Sequence, residues 1–157
     1  MNAPQEYHLT QAGADKLRRE LEELKGPRRT ELAKRLRVAI QQGDLSENAD
    51  YHKAKEDQGF LEGRILELQA MLNNAVIISE SGSTDGVIGL GSKVVVQEKD
   101  RAAVKYFVVG AQEADPRNGK ISNVSPIGQA LVGRKAGDTV TFKTPAGELV
   151  LTIVEVE

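Results

Sequence analysis

The segment GDLSENADYH, from Gly43 to His52, groups more oxygen donors than a simple turn requires. Three carboxylates, one amide and one hydroxyl lie within seven residues; they belong to Asp44, Ser46, Glu47, Asn48 and Asp50. Hard oxygen donors suit Mg²⁺, which keeps several waters and is typically held by one or two carboxylates together with phosphate. The segment is therefore a candidate metal site, but two or three exposed carboxylates are too few to hold the ion alone.

A helix cap is the alternative interpretation of the same residues. Asp44-Leu45-Ser46-Glu47 fits a capping box, in which Asp44 is the N-cap of a following helix and Glu47 reaches back to it. Acidic residues in a first turn also suit the helix dipole. A D-x-x-E match has low specificity and is usually a cap. A cap needs only one such side chain, however, and this segment offers five.

Composition limits the classes of protein to which the chain can belong. Its 157 residues are 39% hydrophobic and 28% charged, with a net charge of −2, so bulk attraction to duplex DNA or anionic lipid is not expected. The absence of cysteine excludes disulfides and thiolate metal sites. The N-terminus lacks a signal-peptide pattern, and no apolar run approaches the ~20 residues needed to span a bilayer. We expect a cytoplasmic protein without a membrane partner.

The first half of the chain has the period of a helical hairpin. After the acidic segment, apolar residues recur at alternating spacings of four and three, as in a coiled-coil seam; they are Leu61, Ile65, Leu68, Leu72 and Ala75. Two similar stripes precede the segment; they are Leu17, Leu21 and Leu24, then Leu32, Leu36 and Ala39. The register slips by one residue at Gly26-Pro27, where we expect a kink or break. The sequence thus predicts an antiparallel two-helix hairpin over residues 1–78, with its acidic tip near 43–48.

The second half changes to the period of strands. Residues 79–86 (SESGSTDG) are small and polar and are predicted to form a linker. Valine-rich or alternating stretches then predict strands, at 93–97, 104–109, 139–143 and 149–156. Residues 128–134 are predicted to form one short helix. The predicted fold class is α+β, with a small, mostly antiparallel domain at 87–157.

A cluster of basic residues lies along the predicted hairpin; it comprises Arg28, Arg29, Lys34, Arg35 and Arg37, with Lys53 and Lys55 across from them. Charge on the outside of a two-helix coiled coil is usually solvation. Arg37, Lys53 and Lys55 are within a few helical turns of the acidic tip.

Long stretches of the chain resemble a known family. GDLSENADYHKAKEDQGFLEGRI is similar to the tip and second helix of bacterial GreA-type transcription elongation factors. VGAQEADPRNGKIS, SPIGQALVGRKAGD and KTPAGE resemble the C-terminal domain of the same proteins, in the same order. The resemblance spans essentially the whole chain, and it implies an FKBP-like fold for residues 87–157.

The resemblance implies a function at bacterial RNA polymerase. In this family the hairpin enters the secondary channel of the polymerase, and the tip acids help to hold a second Mg²⁺ there. The polymerase then cleaves the displaced 3′ end of a backtracked transcript. The positions that match the catalytic and metal-holding acids are Asp44 and Glu47. The protein would then be a monomer that stimulates the polymerase and is not itself an enzyme.

The resemblance also implies supporting and docking residues. Ser46, Asn48 and Tyr51 would support the tip. Among the basic residues near the tip, Arg37, Lys53 and Lys55 would then be candidates for contacts with RNA phosphates. The C-terminal domain would dock on the polymerase through the segment Ser122–Ile127, and the residues proposed for contact are Ser122, Ser125, Pro126 and Ile127. An ordinary loop leading into a short helix is an equally good interpretation of that segment.

Three alternative functions remain open from the sequence. A channel-binding inhibitor of RNA polymerase would share the fold but differ in its tip acids. A prolyl isomerase or chaperone would need an aromatic pocket, whereas residues 87–157 offer only Tyr106, Phe107 and Phe142 as aromatic side chains. We therefore interpret the FKBP resemblance as one of fold. A coiled-coil adaptor would explain the seam but not the acidic tip.

Overall fold

The computed structural model describes residues 5–79 and 85–157. Most of the predicted linker at 79–86 lies outside these described residues. The described chain divides into two compact units, one formed by residues 14–74 and the other by residues 6–13 together with 75–157. No helix within 5–79 or 85–157 is long and apolar enough to cross a membrane.

The first unit is a helical hairpin, as the sequence predicted. Its helical segments are α1 (Gln11–Glu23), a π-helical turn (Leu24–Arg28), α2 (Arg29–Gln41) and α3 (Ala49–Asn73). The helix continues through Pro27 as the π turn, so there is no break at Gly26-Pro27, and the irregularity predicted there is the π turn itself. A π turn accommodates one extra residue, which accounts for the one-residue slip between the apolar stripes of α1 and α2.

The seam between α2 and α3 follows the predicted stripes over most of their length. Its buried side chains are Leu32, Ala39, Ala54, Ile65 and Leu68. Leu61 and Leu72 are half-buried, whereas Met71, which lies outside the predicted pattern, is buried.

Ion pairs tie the hairpin helices together along their flanks. Arg29 on α2 donates two hydrogen bonds to the Glu62 carboxylate on α3, at 2.8 and 2.6 Å. Arg64 on α3 binds Glu20 on α1 at 2.8 Å. These side chains are roughly 40% exposed, so they contribute little to stability. They nevertheless fix which residues of α1 and α2 lie opposite α3.

The second unit is built on a five-stranded sheet. Its strands are β3 (Lys93–Glu98), β4 (Val104–Val109), β5 (Lys120–Ser122), β6 (Thr139–Thr144) and β7 (Gly147–Val156), and its helix is α4 (Pro126–Leu131). The strand order in the sheet is β5-β4-β3-β7-β6. All neighbouring strands are antiparallel except β4 and β5. The core contains Val94, Val108, Leu131 and Ile153, all at most 1% exposed. The predicted α+β class is confirmed.

Three short strands were not predicted. One is β5, and the other two are β1 (Tyr7–Leu9) and β2 (Ala75–Ile77), which pair in parallel. Ala75, predicted to end the helical seam, is instead the first residue of β2. The hairpin is therefore flanked at both ends by strands that belong to the second unit. Helix α4 begins at Pro126, two residues before the predicted start, because Ser125 caps it.

Candidate functional site at the hairpin tip

The tip is the seven-residue connection between the end of α2 at Gln41 and the start of α3 at Ala49. Every side chain in it is exposed except that of Asn48, which is half-buried. Gly43 has a φ of 112°, a left-handed conformation that other residues adopt only with strain. The chain therefore reverses direction at a glycine and presents the following acidic residues to solvent.

Asn48, and not Asp44, is the N-cap of α3, so the predicted capping box is wrong. The Asn48 side-chain oxygen accepts a hydrogen bond from the backbone N–H of Tyr51 at 3.0 Å. Its side-chain nitrogen donates to the carbonyl of Ala39 at 2.6 Å. One amide thus caps the first turn of α3 and satisfies a carbonyl in the last turn of α2. This bridge closes the hairpin immediately behind the tip.

Asp44 is held in a turn of its own. Its Oδ1 atom accepts hydrogen bonds from the Ser46 hydroxyl at 2.8 Å and from the Ser46 backbone N–H at 3.0 Å. These two bonds lower the pKa of the Asp44 carboxyl below its ordinary value, and the bond from the Ser46 hydroxyl has the larger effect. The Asp44 carboxylate is therefore ionised at neutral pH, and its Oδ2 atom has no partner among the described residues.

Glu47 lies just before the N-cap and outside the helix. Its side chain is exposed and makes no hydrogen bond or ion pair with any residue in 5–79 or 85–157. Glu47 shares an open depression in the surface with the other acids of the tip. The depression is lined by Gln42, Asp44, Glu47, Asn48, Ala49 and Asp50. The two carboxylates predicted to be catalytic are thus brought to one exposed surface.

The chemistry of these donors fits Mg²⁺ only as a shared ion. The Glu47 and Asp50 carboxylates and one oxygen of Asp44 are hard donors without a partner among the described residues, and Mg²⁺ requires near-octahedral coordination. Within the described ranges no three His, Cys, Asp or Glu side chains are grouped closely enough to hold a metal. A second molecule would have to supply the remaining ligands.

Two further side chains lie next to the tip. Tyr51, one of the predicted supporting residues, is half-buried at a seam position, and its ring meets that of His52 edge-on at 5.6 Å between centroids. The Nε2 atom of His52 lies 3.3 Å from the carbonyl oxygen of Ser46. Ser46 is therefore bonded on both sides, through its hydroxyl and N–H to Asp44 and through its carbonyl to His52. No periodic pattern in the sequence points to His52.

The three predicted RNA-contact residues have different surroundings. Lys53 pairs with Asp57 at 3.1 Å and with Glu56 at 3.5 Å, and these contacts raise the pKa of its ammonium group. Lys55 donates a hydrogen bond to Gln58 at 2.9 Å. Arg37 is exposed and has no ion-pair partner among the residues that the structure describes. Arg37 is thus the most readily available of the three for a phosphate.

The predicted docking segment contains both buried and exposed residues. Ser122 is only 7% exposed, so its side chain offers little surface for a contact. Its backbone carbonyl instead accepts hydrogen bonds from the N–H and the hydroxyl of Ser125. Ser125 in turn caps α4 by accepting from the N–H of Gly128 at 3.2 Å. Val124, at 61% exposure, and Pro126 are the side chains that face solvent.

Substitution of Asn48 tests the closure of the hairpin. We expect Asn48→Ala to reduce the free energy of unfolding by about 1–2 kcal/mol, because it removes the cap of α3 and the donor to Ala39 together. Asn48→Asp keeps the cap but replaces the donor with an acceptor, so it should also destabilise. Thermal melting of both variants measures this. Full stability of Asn48→Asp would show that the bridge to Ala39 contributes nothing.

Comparisons with known proteins point to one family. The family profile described as transcription elongation factor, N-terminal, matches residues 7–77, and that described as transcription elongation factor, GreA/GreB, C-terminal, matches residues 83–157. The chain is 45% identical to transcription elongation factor GreA of Bacillus cereus over 158 residues, which is 100% of both chains. It is 47% identical over 148 residues to GreA of Clostridium beijerinckii, covering 94% of this chain and 92% of that protein.

A solved structure is also similar in sequence. GreA factor homolog 1 (Gfh1) of Thermus thermophilus is 33% identical, and the match covers 98% of this chain and 99% of that chain, with a TM-score of 0.44.

Proposed function

Because the chain belongs to the GreA/GreB family of transcription elongation factors, we propose that it binds bacterial RNA polymerase and stimulates the polymerase's own cleavage of backtracked nascent RNA. The observation that carries this proposal is the pair of exposed carboxylates, Asp44 and Glu47, at the end of a rigid hairpin. The protein acts as a stimulator and has no nuclease activity of its own, since its tip cannot complete a metal site.

The length of the hairpin supports this proposal. Helix α3 alone has 25 residues, which at 1.5 Å per residue extends about 37 Å. That length is sufficient to carry the tip into a channel of a large enzyme. The Asn48 bridge keeps the two helices together at the far end.

The residues at and near the tip have different proposed roles in the cleavage reaction. In two-metal phosphodiester cleavage, bound Mg²⁺ ions activate the attacking oxygen and stabilise the leaving oxygen. We infer that Asp44 and Glu47 contribute ligands to the more weakly held of these ions at the polymerase active site. Ser46 fixes the Asp44 carboxylate through two hydrogen bonds, which leaves its Oδ2 atom oriented outward. Arg37, with Lys53 and Lys55 behind it, offers positive charge to RNA phosphates near the 3′ end.

A direct test adds the purified protein to stalled, backtracked elongation complexes in the presence of Mg²⁺. The proposal predicts accelerated appearance of shortened RNA, followed by renewed elongation when nucleotides are supplied. A channel-binding inhibitor would instead leave the RNA uncut and slow elongation. Cleavage of free RNA by the protein without polymerase would contradict the role of a stimulator.

The second unit is proposed to carry most of the affinity for polymerase, through the exposed part of Ser122–Ile127. We expect Val124→Asp to raise the concentration of protein needed for half-maximal cleavage by roughly 5- to 30-fold, the effect of removing a strong interface contact. The maximal rate should not change. Val154→Asp, at a valine that is 50% exposed on β7, is the matched control. Equal effects of the two substitutions would place the docking surface elsewhere.

A further inference from the structure

The first turn of α1 is completed by a residue from far along the chain. Thr10, which is 1% exposed, precedes the helix, and its hydroxyl oxygen accepts a hydrogen bond from the N–H of Gly13 at 3.0 Å. Both the backbone N–H and the hydroxyl of Thr10 donate to the carboxylate of Glu113 at 2.5 Å. Glu113 is 103 residues away in sequence.

These contacts reproduce a capping box whose two halves come from different parts of the chain. In an ordinary capping box, the N-cap Thr accepts from the N–H of the third helical residue, and a Glu at that third position accepts from the N–H of the N-cap. Here the third position is Gly13, which has no side chain, and Glu113 accepts from Thr10 in its place. Asp15 and the other acids of α1 lie beyond the first turn.

Gly13 provides the space that this arrangement needs. A Cβ atom on Gly13 would lie 2.3 Å from the carboxylate carbon of Glu113 and 2.3 Å from one of its oxygens. No side chain at position 13 is therefore compatible with the present location of Glu113. Gly13 does not have a positive φ, so the backbone itself would accept another residue.

Glu113 is itself held firmly in the second unit. It ends a short 3-10 turn, Ala111–Glu113, that follows Gly110. Gly110 lies against β1, since a Cβ atom there would be 2.1 Å from the carbonyl oxygen of His8. Residues 6–13 and the 3-10 turn belong to the same compact unit. The first turn of α1 is thus part of the sheet unit, whereas the rest of α1 belongs to the hairpin.

We propose that Glu113 couples the start of α1 to the fold of the second unit, because it supplies the missing half of the capping box of α1. The first turn of α1 is then fully capped only when the second unit has folded around Thr10, and loss of Glu113 frays that turn. This inference is independent of the proposed function.

Amide hydrogen exchange by NMR tests this inference on the full-length protein. Glu113→Ala should accelerate exchange of the Thr10 and Gly13 amides by about 2- to 30-fold, the range that corresponds to loss of a helix cap. Glu113→Gln retains an acceptor and should give a smaller change. Gln112→Ala, at the neighbouring exposed position of the same turn, is the control and should leave both amides unchanged. Unchanged exchange in Glu113→Ala would overturn the inference.

A swap of the glutamate gives the sharpest test. Gly13→Glu combined with Glu113→Ala places the glutamate at the third helical position and removes the side chain that would collide with it. This double variant should regain the amide protection that Glu113→Ala has lost. Failure of the rescue would show that Glu113 does not act through the cap.

Discussion

We expect Asp44→Asn and Glu47→Gln each to abolish most of the stimulation of RNA cleavage while the protein remains folded and bound to polymerase. Each change removes one negative charge from a hard-cation site and preserves the size of the side chain. Loss even of a metal's outer-shell partner typically costs 10- to 100-fold in metal affinity or activity, so we expect a reduction of at least about tenfold. The measurement is the maximal rate of transcript shortening at saturating protein.

Structural damage is not expected to account for this loss. Neither residue caps α3, because that role belongs to Asn48. Asp44→Asn keeps an oxygen that can accept from Ser46, and Glu47 makes no contact with the described residues that could be broken. Both variants should therefore melt at the wild-type temperature and compete normally with wild type for polymerase.

Asp50→Asn is the matched control for charge. Asp50 is an exposed acid in the first turn of α3 and lines the same depression, but it is not one of the two proposed ligands. Its substitution removes the same charge from the same end of the hairpin. An Asp50→Asn variant as defective as the other two would show that general negative potential, and not specific ligation, is responsible.

Gly128→Ala destabilises the second unit, although the same change in an exposed helix normally stabilises. A Cβ atom on Gly128 would lie 1.8 Å from the carbonyl oxygen of Ser122 and 3.0 Å from the Cα atom of Asn123. Both are backbone atoms and cannot move aside as a side chain can. We expect a loss of about 3 kcal/mol, the upper part of the range for overpacking, which should lower the melting temperature by roughly 6–12 °C.

Gly59→Ala is the same substitution at an open position, and we expect it to increase stability. Gly59 lies in the interior of α3 and is exposed, and a Cβ atom added to it would have no atom of a neighbouring described residue within 4 Å. Alanine there should increase stability by about 1 kcal/mol through helix propensity alone. A shift of the melting temperature in the same direction for both variants would show that Gly128 does not pack closely against the backbone of Ser122.

Gly128→Ala has a functional consequence as well. The atoms that it displaces belong to Ser122–Ile127, the proposed docking segment. We expect the variant to bind polymerase more weakly even below its melting temperature, whereas Gly59→Ala should bind normally. Comparison of the two variants therefore distinguishes a change in the stability of the hairpin from damage to the docking segment.

Periodicity made much of the fold predictable. The stripe of Ile65 and Leu68 and the alternation of the long strands follow from burial on one face of a helix or sheet. The one-residue slip at Pro27 was also visible, although its outcome as a continuous π turn was not. Strands β1, β2 and β5 are each three residues long, too short to show any alternation, and were missed for that reason.

The site was predictable in its location but not in its hydrogen bonds. Asp44 and Asn48 are both good N-cap residues, and sequence spacing alone does not choose between them. The bond from Asn48 to the carbonyl of Ala39 favours Asn48, and it exists only once α2 and α3 have packed together. The pairing of Glu113 with Thr10 is equally invisible in the sequence, because it depends on contact between segments 103 residues apart.

A titration of Mg²⁺ with the Asp44→Asn variant tests the central claim most directly. Transcript shortening in backtracked complexes is measured at saturating wild-type or variant protein over increasing Mg²⁺ concentration. If the tip acids recruit a shared ion, the variant needs more Mg²⁺ than wild type, and part of its lost rate returns as Mg²⁺ is raised. Superimposable curves for wild type and Asp44→Asn would contradict metal recruitment by the tip.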